Sequence, residues 1–350
     1  MRKVLLLLCL MLFGLTGTAV RAANAPAPAR DESPRVLLVV SSHGRGEGKI
    51  QPGFEMDELT QAWLVLRANG FAVDIASPEG GRVQADEFDP AKPYNAAFLA
   101  DPEAKARLDA TQRLDPAMAG RYAAIMVIGG KGAMFDLPFS QILQDLLLEA
   151  DRRGAVIAAV CHGPAVLARL RQPDGSNWVS GRLLTGFSDE EEAMFGKRWV
   201  PHFPFLLETE LRRLDARFDE APIMLPRVAV DGRLVTGQNP YSVAGAADAV
   251  VRLLGQTPVA RTPWPDEWGL TLVARALDGD EAPLIAGLAR GDGSVDAPLV
   301  AVWGYYRALQ AGENRAQLAQ ALRIMEIAYP HFPQPELRDA ISETRKRLAP

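Results

Sequence analysis

Apolar and polar positions along the chain follow two alternating periods. Short runs at residues 35–41 (RVLLVVS), 71–76 (FAVDIA), 122–128 (YAAIMVI) and 156–160 (VIAAV) are nearly continuous in apolar character. Such runs predict strands covered on both faces, as in a parallel sheet. Between them lie segments of helical spacing. Residues 53–69 place Leu59, Trp63 and Leu66 on one face and stop at Gly70, and residues 140–153 are amphipathic. Further along, 183–185 reads as a short strand, and 189–195 and 205–214 as helices. Residues 228–230 and 234–236 form a hairpin pattern across Asp231-Gly232, and 242–254 is a closing helix. Residues 82–120 are polar and weakly patterned, with one helix expected over 102–112. Strands alternating with helices predict an α/β sandwich of three layers with a mostly parallel sheet over 35–255.

The pattern changes at both ends. Residues 256–268 are polar and Pro-rich and read as a linker. Residues 269–350 read as a helical extension, in which 299–310 and 316–328 can pair as a hairpin. Trp303, Tyr306, Leu318, Leu322 and Pro330 faintly match a tetratricopeptide unit. One unit does not make an array, so a small helical cap or dimerisation element is the expectation. At the start, Arg2 and Lys3 precede an apolar run at 4–13, and Val20-Arg21-Ala22 offers a cleavage site. Residues 1–22 therefore read as a secretory signal peptide and 23–34 as a flexible lead-in. The apolar run is short for a membrane span. An exported protein, periplasmic or secreted, with no stable span after cleavage is the expectation.

The 350 residues are 48% hydrophobic and 23% charged, an ordinary globular composition. A net charge of −5 with no basic run argues against a nucleic-acid partner. Of the two cysteines, cleavage would remove Cys9 and leave Cys161, so no internal disulfide is expected. The four histidines are scattered, without zinc-ligand spacing, and there is no Walker-type loop. Neither a metal nor an organic cofactor is expected.

The chemistry gathers at the end of the 156–160 run. Cys161 and His162 follow it directly, then Gly163, Pro164 and a helical stretch at 165–170. A strand that turns sharply into a helix at a nucleophile is the geometry of a nucleophile elbow. A helix N-terminus at that point would favour the thiolate. Adjacent side chains often diverge, so a direct Cys161–His162 pairing depends on the turn. Glu58, near the start of the first helix, could lie close to the thiol; protonated by burial, it could hydrogen-bond sulfur and move protons on a substrate. Gly129 and Gly130 follow a strand and could offer backbone N–H groups to an oxyanion. Lys131 beside them would lower the thiol pKa further if it lies near Cys161. Glu190, Glu191 and Glu192 follow the strand end at Thr185-Gly186, and one of them could orient His162.

Residues 156–170 (VIAAVCHGPAVLARL), 129–138 (GGKGAMFDLP), 53–81, 181–187 (GRLLTGF) and 231–240 (DGRLVTGQNP) together resemble the ThiJ/PfpI family. That family belongs to the class I glutamine amidotransferase-like superfamily. The likeness covers about 35–255 and points to the glutathione-independent glyoxalase (glyoxalase III) branch, also described as chaperones or deglycases. The resemblance implies a flavodoxin-like fold, often a homodimer. It implies Cys161 as nucleophile beside His162, Glu58 as the acid near the thiol and Glu192 as third member of a triad, with Glu190 a near alternative. It also implies a small 2-oxoaldehyde such as methylglyoxal as substrate, converted to a 2-hydroxy acid. Lys131 stands where the family commonly has His, Tyr241 follows Pro240 where it commonly has Ala, and Ala62 replaces a usual Pro. The first two departures bear on substrate choice. Two other functions are compatible with the same residues: a chaperone or redox sensor switched at Cys161, and a cysteine peptidase or amide hydrolase.

Overall fold

A computed structural model describes residues 33–196 and 198–349. The signal-peptide reading and most of the lead-in lie outside the described residues. Among the described residues nine strands run in chain order: β1 (Arg35–Val39), β2 (Ala72–Ser77), β3 (Gln112–Arg113), β4 (Ala124–Val127), β5 (Val156–Val160), β6 (Leu183–Leu184), β7 (Arg217–Phe218), β8 (Val228–Asp231) and β9 (Leu234–Gly237). Seven build one sheet in the order β3-β2-β1-β4-β5-β9-β8, and β6 pairs with β7 to one side. Every neighbouring pair in the large sheet is parallel except β8 with β9.

The apolar runs alternate between two cores. Val36, Leu38, Met126 and Ala158 face the helices Met56–Ala68 and Val243–Leu253. Leu37, Val39, Val127, Ile157 and Ala159 face the helix Gln141–Arg152. Both faces are thus covered, which is why these strands lack polar alternation. The architecture is the flavodoxin-like sandwich expected, with a helical region after it. Connections from β1 lead one way to β2 and from β4 the other way to β5, so the order reverses between β1 and β4. Ligands in open α/β sheets bind outside the strand carboxyl ends near such a reversal.

Several local elements differ from expectation. Residues 82–120 hold two helices, Pro93–Ala100 and Pro102–Asp109. Asp101 separates them and caps the second, accepting from the Glu103 N–H at 2.8 Å. The segment after Cys161 is a 3-10 helix, Gly163–Arg169, with the Ala165 N–H bonded to His162 O at 3.0 Å. Residues expected as one helix at 189–195 form a single turn, Asp189–Glu191, that widens into a π-helix, Glu192–Gly196. The first tail helix starts at Pro265, inside the stretch read as linker. Pro suits the first turn of a helix, and Glu267 Oε2 accepts the Trp264 N–H at 3.1 Å.

The tail contributes the helices Pro265–Leu277, Ala282–Arg290, Ala297–Gln310, Arg315–Ala328 and Pro335–Leu348. Its core is continuous with the α/β domain through Met224 and Leu225, which pack among Leu270, Val273, Trp303 and Ile324. Trp303 is fully buried and its Nε1–H donates to Ile223 O at 3.0 Å. A buried polar cluster ties the other end: Tyr94 donates its hydroxyl proton toward Asp266 Oδ2 at 2.6 Å, and Lys92 pairs with Asp57 at 2.5 Å. No helix of the described residues is long and apolar enough to cross a membrane. If the tail is an integral part of the fold, Trp303→Ala should lower stability by about 3–5 kcal/mol. Urea unfolding followed by circular dichroism reads this, and a loss below about 1 kcal/mol would contradict the packing described.

Candidate active site

The site begins with backbone strain. The Cys161 N–H donates to Gly237 O at 2.8 Å, and its carbonyl accepts the Phe187 N–H at 2.9 Å. Tied on both sides, Cys161 adopts φ +55°. A non-glycine residue there costs on the order of 1–3 kcal/mol, and such strain persists only where the surroundings impose it. The turn brings the next side chain back onto the sulfur: Cys161 Sγ lies 3.2 Å from His162 Nδ1. The other ring nitrogen, Nε2, lies 2.7 Å from Glu192 Oε1. With Glu192 accepting the Nε2–H, Nδ1 carries the lone pair and accepts from the thiol. Phe187 stacks on the imidazole at 4.6 Å and fixes its plane.

Of the three consecutive glutamates, Glu192 alone reaches His162, from the first position of the π-helix. Glu190 is exposed. Glu191 is buried at the cavity wall but turned away from His162, accepting from the Met224 N–H and from Asn239 Nδ2, both at 2.9 Å.

Glu58 sits fully buried under the elbow. Its Oε2 accepts the Gly129 N–H at 2.7 Å. Its Oε1 has no nitrogen or oxygen partner and faces the Cys161 thiol. Burial, reinforced by the nearby Glu55 carboxyl, pushes Glu58 up to about 8. At neutral pH it therefore keeps its proton, available to the sulfur.

Two expectations change here. The Gly129 N–H is committed to Glu58, so Gly130 alone of the pair can serve an oxyanion. The thiol pKa moves up, chiefly by burial and then by the Glu58 carboxyl, with only the Gly130 N–H pulling it down. The segment after the sulfur is a 3-10 helix rather than an α-helix, and Lys131 acts on Glu55 and Asp86. The resting group is a neutral thiol. Both glycines are required sterically. A Cβ at Gly129 would stand 2.7 Å from Cys161 Cβ, and one at Gly130, where φ is +90°, would stand 2.4 Å from Glu55 N.

A cavity of about 300 Å³ opens above the sulfur. Glu55, Gly130, Lys131 and Asn239 form its polar side, and Tyr241 lines it from the loop after β9. Glu55 was not anticipated from sequence. It precedes the first helix, and burial followed by Asp57 pushes it up to about 7, with Lys131 opposing. The one available signal was three carboxylates, Glu55, Asp57 and Glu58, within four positions, more than a helix dipole asks for. Part of the remaining cavity wall comes from the tail: Leu299, Val302 and Tyr306. Among the described residues no group of three or more His, Cys, Asp or Glu side chains could hold a metal ion.

A flavodoxin-like sheet with a strained cysteine elbow, an oriented imidazole and a buried acid defines a class of α/β domains with a cysteine at the end of a central strand. Residues 49–252 match the DJ-1/PfpI family, and the chain belongs to it. The glutathione-independent glyoxalase hsp3101 of Schizosaccharomyces pombe is 29% identical over 249 residues, covering 63% of this chain and 95% of that protein. The glutathione-independent glyoxalase HSP31 of Saccharomyces cerevisiae is 30% identical over 230 residues, covering 61% and 94%. The crystal structure of glyoxalase III from Candida albicans aligns with a TM-score of 0.57 at 25% identity, covering 63% of this chain and 97% of that one.

Glu58 gives a signed prediction. Its carboxyl releases its proton near 4.5 when unfolded and near 8 when folded. Between those values the unfolded state binds fewer protons, so this group's contribution to stability falls as pH rises, by up to about 1.4 kcal/mol per pH unit. Glu58→Gln removes that slope. Denaturant unfolding should show the variant gaining on the native protein from pH 5 to pH 8; a constant difference would contradict a buried, protonated Glu58.

Proposed function

We propose that this protein is a glutathione-independent glyoxalase acting on small 2-oxoaldehydes. The observation that carries the reading is the contact chain Glu192–His162–Cys161, with the buried acid Glu58 on the other side of the sulfur. Relatives named as glyoxalases support it.

In this mechanism the thiol adds to the aldehyde carbon. A carbon–sulfur bond forms, the thiol proton passes to His162 Nδ1, and the carbonyl oxygen takes up the charge. The Gly130 N–H is the donor placed to steady that oxygen. Protonation gives a hemithioacetal. Glu58 then gives its proton to the neighbouring carbonyl oxygen and, as a carboxylate, takes the proton from the former aldehyde carbon, leaving an enediol; it returns that proton to the neighbouring carbon and takes up the hydroxyl proton of the former aldehyde carbon as the enediol collapses. The product of that step is a thioester bearing a 2-hydroxyl group. Water cleaves it to a 2-hydroxy acid and restores the thiol. The net reaction adds one water and needs no external oxidant or reductant.

The reading includes export after cleavage at Ala22 and a homodimeric assembly; the mass of the mature chain and sedimentation address these. The enzymatic test uses methylglyoxal without glutathione. The native protein should form lactate, and Cys161→Ser should lower the rate at least about a hundredfold, the scale of losing an activated nucleophile. Because Glu58 must hold its proton, the rate should fall as pH rises through about 8. Unchanged lactate formation in Cys161→Ser would contradict the mechanism, and peptide or glutamine hydrolysis without lactate would replace it with an amide hydrolase.

A further inference from the structure

The family match ends at residue 252, whereas part of the cavity wall comes from Leu299, Val302 and Tyr306. These three lie on one face of the helix Ala297–Gln310, spaced three and four residues apart. Each is only partly buried, while Trp303 between them is fully buried in the tail's own core. The helix is anchored through Trp303 together with Val300, Ala301 and Ala308, and turns Leu299, Val302 and Tyr306 to the space over the thiol. Phe195 and Met224, also lining the cavity, extend this apolar surface, with the Phe195 and Tyr306 rings edge to face at 5.2 Å. The anchor is firm, since Trp303 hydrogen-bonds Ile223 O and the adjoining core is continuous with Met224 and Leu225.

Methylglyoxal makes poor use of such a wall. Its aldehyde carbon must meet Cys161 and its oxygens the Gly130 side, leaving one methyl group for the opposite face. Its five heavy atoms leave much of the cavity of about 300 Å³ unfilled. The apolar wall is suited to a larger substituent, whose burial there is favourable.

Resting on the glyoxalase reading, we propose that the tail helix Ala297–Gln310 forms a side-chain subsite selecting 2-oxoaldehydes with an aryl-sized apolar substituent over methylglyoxal. The tail is then a specificity element of the active site. A cover that merely excludes water would affect all substrates alike.

The experiment compares phenylglyoxal with methylglyoxal in the full chain, in the double variant Leu299→Ala/Val302→Ala, and in Val302→Phe, which fills the wall where the double variant empties it. In both variants kcat/KM should fall about tenfold more for phenylglyoxal than for methylglyoxal. A second readout does not depend on turnover: the rate of Cys161 alkylation by iodoacetamide and by N-benzyl iodoacetamide, read by peptide mass. The native protein should favour the benzyl reagent, and both variants should lose that preference. Equal losses for both oxoaldehydes, or a native protein without preference in alkylation, would overturn the subsite. Absence of turnover for both aldehydes, with the alkylation preference present and lost in the variants, would sink the glyoxalase reading and leave the apolar subsite standing.

Discussion

Everything at this site depends on keeping a thiol, an imidazole and a carboxyl together out of water. Cys161, His162 and Glu58 are each almost completely buried. Burial disfavours charge, so the Cys161 thiol and the Glu58 carboxyl rest with their protons on. That shifts the problem of catalysis from holding a thiolate to making one at the moment of attack. The strained turn at Cys161 answers it by putting an acceptor nitrogen 3.2 Å from the sulfur, with a carboxylate behind it to hold the tautomer. The sheet supports the strain because β5 is an inner strand, flanked by β4 and β9, and Gly237 at the end of β9 ties the Cys161 N–H.

The same burial explains the division of labour among the carboxylates. Glu58 is locked to the Gly129 N–H beneath the sulfur, while Glu55 lines the cavity. Glu55 adds to the burial that keeps Glu58 from ionising, and Asp57 adds to the burial that does the same for Glu55. With Glu55 near 7 and Glu58 near 8, the site can hold and pass protons over the range where a simple surface glutamate is fully ionised.

The fold was legible because burial on both faces leaves an unmistakable record, four apolar runs ended by glycines or polar loops. The elbow was legible for the same reason, since a strand, a cysteine and a glycine in succession have few other uses. The sign of the thiol shift was not. It turned on whether an α-helix or a 3-10 turn follows Cys161, and on how much burial outweighs local dipoles, neither of which periodicity reports. Glu55 was missed because a single acid before a helix has an ordinary explanation. The contact between the tail and the site was out of reach altogether. Leu299, Val302 and Tyr306 mark an apolar helix face, but a face does not name the surface it covers. The polar tie from Tyr94 to Asp266 spans 172 positions.

The neutral resting thiol is the central claim, and thiolate absorbance in the ultraviolet tests it directly, as the difference between the native protein and Cys161→Ser across a pH titration. The account predicts no step at or below the ordinary thiol value of 9.0, because burial and Glu58 push Cys161 upward. A step well below that value, in the acidic range, would mean that the sulfur rests as a thiolate, and the proton inventory drawn for His162 and Glu58 would be wrong.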